Sequence, residues 1–401
     1  MKILYVFGGI PPYANAMLNR LVEKNAEIVA VIPALSSKVL GKGVKVIDER
    51  QAAYKIIGSR EQKTLFGKNY FPDLPEIIER EQPDILVAGW PYFLQFFKYR
   101  RLRKALHQNG VRFVIREIPF QVPPYGKIRA YFREHPMYNE DMKLLSRGLP
   151  FYLRQWGTML IRRYCYGRAD GALAYASLGR TIMPTYGIRE ERVFVTYNTG
   201  DSEALLHEKQ MVLQDPPILP ENSCRIIHIG RLVKWNRVDL LMDAFARVLK
   251  EFPDAELVVV GDGPERESLE GQARALGITE RVLFTGGVYD PKKIGAYLSV
   301  SSLYVLAGMG GLSINDAMAY GLPVICSVCD GTERDLVTHR GNGLFFQENN
   351  AVDLSEKISL LLGNPALRGK MGEASLRVIE ERINLESVSD RYLDAFRKIS
   401  S

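Results

Sequence analysis

The feature that most restricts this chain is a rhythm of short apolar runs, rich in Val and Ile, separated by helix-length stretches. In the first half the runs are Lys2–Phe7, Ile28–Ile32, Val44–Ile47, Ile85–Ala88, Arg112–Ile115, Gly171–Tyr175 and Val193–Thr196. The second half continues with Arg225–Ile229, Glu256–Val260, Arg281–Phe284, Leu303–Leu306 and Pro323–Ser327. Most are apolar at consecutive positions, the pattern of parallel strands covered on both faces. Between the first two runs of the second half, Val238, Leu241, Met242, Phe245, Val248, Leu249 and Phe252 form the stripe of an amphipathic helix. Strand and helix alternating over these lengths predict two doubly wound α/β domains.

The periodicity breaks over Asp201–Ser223, most sharply at Gln214-Asp215-Pro216-Pro217-Ile218-Leu219-Pro220. Domains are therefore expected at 1–203 and 222–382. A helical segment over 383–401, centred on Leu385–Ile399, is expected to pack back toward the first domain. Ligands of open α/β sheets bind beyond the carboxyl ends of the strands, so the expected site is a cleft between the two domains.

Composition excludes several classes. With 46% apolar and 25% charged residues the chain is neither disordered nor collagen-like. No apolar run approaches the roughly 20 residues of a membrane span. The opening Met1–Gly9 reads as a first strand instead of a signal peptide, which predicts a cytoplasmic protein. Cys326 and Cys329 form a lone CxxC after an apolar run, and the five histidines are scattered, so no metal site is expected.

The whole-chain net charge of +7 is unevenly distributed. Residues 88–115 carry Lys98, Arg100, Arg101, Arg103, Lys104 and Arg112 without an acid; residues 142–168 carry Lys143, Arg147, Arg154, Arg162, Arg163 and Arg168, again without one. The first stretch includes Trp90, Tyr92, Phe93, Phe96, Phe97 and Tyr99, the second Phe151, Tyr152, Trp156 and Tyr164. Cations among aromatic rings suit an anionic membrane surface, and a solvated edge of a core helix has the same composition. No nucleic-acid motif accompanies them, so nucleic acid is not an expected partner.

Three glycine-bearing loops follow strands of the second half. In His228-Ile229-Gly230-Arg231-Leu232-Val233-Lys234-Trp235-Asn236-Arg237, Gly230 permits a tight turn while Arg231, Lys234 and Arg237 supply cations able to grip phosphate. Val260-Gly261-Asp262-Gly263-Pro264-Glu265-Arg266 lacks dinucleotide-site spacing and by itself is a weak signal, equally consistent with a tight turn capped by Asp262 into the next helix. In Gly308-Met309-Gly310-Gly311-Leu312-Ser313-Ile314-Asn315-Asp316 the glycines bare backbone just ahead of a helix that Gly321 and Pro323 close. Asp316 in that helix's first turn complements the helix dipole, worth roughly 0.3–1 kcal/mol. The same carboxylate could instead accept two ribose hydroxyls; position alone leaves both roles open.

In this order the loops resemble the nucleotide-sugar domain of family 4 glycosyltransferases, retaining enzymes of the GT-B fold. The matching stretches are GRLVKWNRVDLLMDAF, VVVGDGPERESLE, RVLFTGGVYD, GMGGLSINDAMAYGLPVI and GNGLFF, over roughly residues 225–346. A looser likeness in the first half rests on Gly8-Gly9, Ala169–Ser177 and Tyr197–Asp201. The resemblance implies two Rossmann-like domains facing across a cleft, the first for the acceptor and the second for a nucleotide-diphosphate sugar. It implies that Arg231 grips the diphosphate, and that Gly9, Gly230, Gly261, Asp262, Gly286 and Val288 surround the nucleotide.

The sequence also departs from that family. Its second cation falls at Asn236, leaving Lys234 or Arg237 to replace it. The ribose glutamate is the shorter Asp316, and the sugar-binding glutamate falls at Gly308. Contact with the donor sugar would then pass to the backbone of Gly308, Met309, Gly310, Gly311 and Leu312. The histidine that often follows the first domain's central strand in the family is absent from Ile115-Arg116-Glu117-Ile118; Glu117, at the cleft end of that strand, is the acceptor-side candidate.

The expected activity is metal-independent transfer of a sugar, with retention, to a lipid-linked or surface-polysaccharide acceptor. No cofactor is expected beyond the donor itself. Such an enzyme would work in the cytoplasm, peripheral to the inner face of the cell membrane through region 88–168. A catalytically degenerate scaffold and a nucleotide-sugar epimerase of the same fold are the alternatives.

Overall fold

The computed structural model describes the chain except residues 35–38, 41–43, 46–47, 65–66, 140, 310 and 329–330. Of the residues named above, Val46, Ile47, Gly310 and Cys329 lie outside the described set. The chain forms two compact units, one of Met1–Met137, Ser146–Gly200 and Leu385–Ser401, the other of Tyr138–Leu145 and Asp201–Asn384.

The first unit is built on a seven-stranded, wholly parallel sheet. Its strands are β1 (Lys2–Val6), β2 (Glu27–Pro33), β3 (Lys55–Ser59), β4 (Ile85–Gly89), β5 (Arg112–Glu117), β6 (Gly171–Ala174) and β7 (Val193–Val195). Their order in space is β7-β6-β5-β4-β1-β2-β3. Consecutive residues Ile3, Leu4, Tyr5 and Val6 are all buried, as a strand covered on both faces requires. Ile3 pairs with Ile28 on one side and Ile85 on the other, and the order reverses between β1 and β4.

Helix α1 (Pro12–Glu23) lies on this sheet, and α2 (Arg100–Gln108) buries Leu102, Ala105 and Leu106. Helix α3 (Gly148–Tyr166) turns Met159, Arg162, Cys165 and Tyr166 inward.

The second sheet comprises β8 (Arg225–Ile229), β9 (Glu256–Val260), β10 (Val282–Gly286), β11 (Leu303–Leu306), β12 (Val324–Cys326) and β13 (Gly343–Phe345). Its order, β10-β9-β8-β11-β12-β13, repeats the doubly wound scheme with the reversal between β8 and β11. Helix α4 (Val238–Val248) buries Val238, Leu241, Met242, Phe245 and Val248, the stripe legible in the sequence. Arg225 at the head of β8 is almost fully buried, yet its guanidinium is satisfied. It pairs with Glu256 at 2.8 Å and donates to the Val300 and Pro220 carbonyls. The stretch expected to be a linker begins with a helix, Ser202–Val212, whose Asp201 cap accepts from the Ala204 N–H.

Two expectations need correction. Val44–Lys45 is not a strand of the main sheet but pairs with Val39–Leu40 in a short antiparallel ribbon. The third strand is Lys55–Ser59, which offers no apolar run because it sits at the sheet edge and stays half-exposed. The first aromatic stretch also splits. Tyr92, Phe93 and Phe96 are core, Phe96 stacking on Phe113 at 4.3 Å, and Arg103 donates to the Phe96 and Phe97 carbonyls. That stretch is therefore mainly a helix edge over a core.

Helix α5 (Ser313–Ala319) leads from the third glycine loop. Helix α6 (Leu385–Ser400) belongs to the first unit. It buries Leu385, Val388, Tyr392, Leu393, Phe396 and Ile399. Lys24, the residue that ends α1, holds Glu386 and Asp390 at 2.7 and 2.5 Å. A β-carbon on Gly171 would lie 2.4 Å from Ile399 Cδ1, so glycine lets the helix settle against the start of β6. Phe396 meets the edge of Tyr5 at a centroid distance of 6.4 Å. Removing that ring leaves a cavity, so Phe396→Ala should cost about 3–5 kcal/mol. A lowered urea midpoint followed by fluorescence is expected; an unchanged midpoint would show that α6 is not part of the fold's core.

Candidate functional site

Four loops leave the carboxyl ends of β8, β9, β10 and β11, next to the reversal of strand order. Backbone hydrogen bonds join the first three. Gly230 N–H donates to Val260 O, Leu232 N–H to Asp262 O, Glu265 N–H to Leu232 O and Gly261 N–H to Gly286 O, each at 3.0 Å. A β-carbon on Gly261 would lie 1.8 Å from Gly230 O, and one on Gly263 2.4 Å from Leu232 O. These glycines serve the close approach of one loop to the next. Gly286, at φ +76, accepts the Gly261 bond from a conformation that favours glycine, and Val288 beyond it is half-buried.

The fourth loop joins through Gly308. A β-carbon there would meet Trp235 O at 2.3 Å and the Asn236 carbonyl carbon at 2.8 Å. No side chain fits at this position; the turn at residues 234–237 occupies the space. Met309 N–H donates to Trp235 O at 2.9 Å, which corrects the expectation that it faces a ligand. Gly311 is exposed with open space around it, and Leu312 is half-buried.

The cations sort themselves by their partners. Asn236 is buried, and its amide donates to Arg231 O at 2.7 Å, fixing the backbone that carries Arg231. Its amide therefore braces the loop and does not face outward as a ligand group. Arg237 has φ +52 and is bound to Asp239 at 3.1 Å and to Asn349, which removes it as the replacement cation. Lys234 is exposed and has no ion-pair partner among the described residues. Asp262 is exposed and accepts from Gly263 N–H at 2.8 Å, as an acid closing a tight turn does.

Asp316 is partly buried on the first turn of α5, and desolvation pushes its carboxyl up to about 7. Two groups here carried no signal in the sequence. His228 on β8 is fully buried, with Nδ1 3.0 Å from Val305 O and Nε2 without a partner; burial keeps it below its ordinary pKa and hence neutral. Both side-chain amide atoms of Asn315 are likewise buried and unpartnered.

The first unit holds a pocket of about 530 Å³ at the ends of β1, β4 and β5. Gly8 lines it, whereas Gly9 is buried just beyond at φ +148. Glu117 lines it too, but its carboxylate accepts from Arg162 Nη1 and from the Tyr166 hydroxyl, both at 2.7 Å. Both partners are buried. Glu117 thus anchors Arg162, a pairing across 45 residues of sequence that no local pattern announces. Among the described residues no group of three or more His, Cys, Asp or Glu is gathered as a metal site would be.

Comparison with known proteins agrees with the resemblance. Residues 213–378 match the family described as glycosyl transferases group 1. An uncharacterized glycosyltransferase of Haemophilus influenzae is 30% identical over 184 residues, 44% of this chain and 51% of that protein. The lipopolysaccharide core biosynthesis glycosyltransferase LpsD of Rhizobium meliloti is 30% identical over 181 residues, 44% of this chain and 50% of its own. The chain thus spans about half the length of the curated relatives it matches. Anabaena Alr3699/HepE, solved in complex with UDP, superposes with a TM-score of 0.70 at 16% identity, covering 99% of this chain and 100% of that one. The expected GT-B fold is borne out.

The desolvated Asp316 has a signed consequence. Between about pH 4, where an unfolded aspartate loses its proton, and about pH 7, the native state keeps a proton that the unfolded chain has released. Stability therefore falls as pH rises through that window. Asp316→Asn should match wild type near pH 4 and gain on it in melting temperature toward pH 8. A difference that does not vary with pH would rule out a desolvated carboxyl.

Proposed function

With a GT-B fold and a group 1 glycosyl transferase domain over residues 213–378 as the premise, we propose that this chain is a glycosyltransferase. It would use a nucleotide-diphosphate sugar, act with retention and need no metal. Its acceptor would be lipid-linked or a surface-polysaccharide precursor. The observation that carries the reading is the joined set of loops beyond β8–β11. Their glycines lock backbone to backbone, leaving Arg231, Lys234 and Asp316 on a rigid frame.

In this reading the bond between the donor's anomeric carbon and the diphosphate oxygen breaks while the acceptor oxygen bonds to the same carbon. The acceptor's proton passes to the departing phosphate. Arg231 and Lys234 stabilise the charge that develops on the diphosphate, and preorganised cations do this best where water is excluded. Asp316 receives ribose hydroxyls, and the Gly311–Leu312 backbone faces the sugar. The UDP complex of Alr3699/HepE supports a nucleotide donor, and the lipopolysaccharide role in the name of LpsD supports a glycan acceptor.

The outer face of α3 supports an acceptor at a membrane surface. Leu149, Leu153, Trp156 and Leu160 are 65%, 63%, 57% and 43% exposed, at the spacing of one helix face. Exposed Arg147 and Arg163 stand at its two ends. An apolar stripe flanked by cations suits the headgroup boundary of an anionic bilayer. Among the described residues no helix is long and apolar enough to cross a membrane, which leaves a surface-lying mode for α3.

Thermal shift against UDP, GDP, ADP and their sugars, with and without EDTA, tests the donor reading. One diphosphate series should raise the melting temperature with EDTA present, and Arg231→Ala should weaken donor affinity and turnover by tenfold or more (about 1.4 kcal/mol). Full affinity and turnover in Arg231→Ala would sink the assignment. Binding without turnover across the panel would make the chain a nucleotide-binding scaffold, the alternative that the family side chains missing at Gly308 and Asn236 raise from sequence. On liposomes, anionic vesicles should sediment more protein than neutral ones, and Leu153→Ser with Trp156→Ser should remove the difference. Equal sedimentation by both vesicle types would remove the membrane surface.

A further inference from the structure

The pocket of the first unit is lined by Lys68, Arg116, Arg154 and Arg162, against a single lining carboxylate among the described residues, Glu117. That carboxylate is already spent on Arg162 and Tyr166. Glu61 comes near only through Tyr92, whose hydroxyl donates to it at 2.5 Å. Arg116 is caged, donating to the Tyr392 hydroxyl at 3.0 Å with its guanidinium 4.5 Å from the Tyr175 ring centroid. Two of the other three cations converge on Trp90: Lys68 Nζ and the Arg162 guanidinium each lie 4.6 Å from its ring centroid. Neither Lys68 nor Arg154 has a carboxylate partner among the described residues.

Like charges crowd together here. Burial, and after it the nearby Arg154 and Arg162, holds the Lys68 ammonium below its ordinary range. An arrangement of this kind is relieved by an anion. A bare ion would leave most of a pocket of about 530 Å³ empty. The rest of the lining includes Gln121, Gln155, Thr158 and Tyr175, amide and hydroxyl groups suited to sugar hydroxyls.

We propose that this pocket, on the glycosyltransferase reading above, receives the acceptor through an acidic group on its sugar, a carboxylate or a phosphate, held by Lys68, Arg154 and Arg162. Glu117 is a positioning residue in this scheme, since it acts through Arg162. Charge-assisted hydrogen bonds to the acid supply the selectivity, and the amide and hydroxyl lining reads the ring.

The test is calorimetric titration of the full chain with glucuronate, glucose 6-phosphate, glucose and inorganic phosphate, with UDP titrated into the same preparation. At least one charged sugar should bind about tenfold or more tightly than glucose. Whether that is glucuronate or glucose 6-phosphate identifies the acid. Lys68→Met and Arg154→Gln should each shrink the preference, and Arg180→Gln, outside the pocket, should leave it intact. Equal affinity for glucose and both charged sugars overturns the proposal, as does inorganic phosphate binding as tightly as the sugar phosphate. UDP binding without the charged-sugar preference would discard the acidic acceptor and keep the donor reading. The preference without binding of any nucleotide would keep the anionic-sugar pocket and discard transfer.

Discussion

The close approach of backbone to backbone beyond the second sheet is the constraint on which the rest of this molecule depends. Gly261 lies against Gly230, Gly263 against Leu232 and Gly308 against the Trp235–Asn236 turn, each too near for a β-carbon. Together with the hydrogen bonds that cross-link them, these contacts join loops from four strands into one rigid rim. A rim of this kind can hold cations and a carboxylate in fixed positions, which is what stabilising a leaving diphosphate asks of a protein. The side chains that do chemistry in the proposed scheme are few because the backbone has already set their places.

Gly308 changes meaning when seen this way. From sequence it is a missing carboxylate, a loss relative to the family the chain resembles. In the structure it is a filled position, since the turn that carries Lys234 and Asn236 stands where a side chain would go. Asn236 follows the same logic: its amide braces the Arg231 carbonyl. The two departures are neighbours in space, and together they describe a tighter loop packing instead of two independent deletions.

Much of the fold was legible because a buried strand must be apolar on consecutive residues. Ile3–Val6 and Leu257–Val260 announce themselves in this way. Lys55–Ser59 does not, because an edge strand need cover only part of itself and can afford Lys and Gly. Gly343–Phe345 escapes by being three residues long. The site was legible where residues are close in sequence, as in the glycine loops and Asp316. It was opaque where pairing spans the fold: nothing local joins Glu117 to Arg162, Arg237's loss to Asp239 depends on a backbone turn at φ +52, and the orphaned His228 nitrogen is set by burial alone. Charge counting found the cations of residues 88–168, but not that Arg162 lies buried on a carboxylate or that Arg101 pairs with Glu76.

The return of α6 to the first unit has a consequence for synthesis. Domains usually fold as they leave the ribosome, the earlier before the later. Here the first unit's hydrophobic face beside Tyr5 and Gly171 lacks its cover until residue 400 has been made, after the whole of the second unit. The first unit emerges first and is completed last. Through that interval an apolar surface on a parallel sheet stays open, so translation speed over residues 201–384 and the capacity of chaperones to shield that face become determinants of yield.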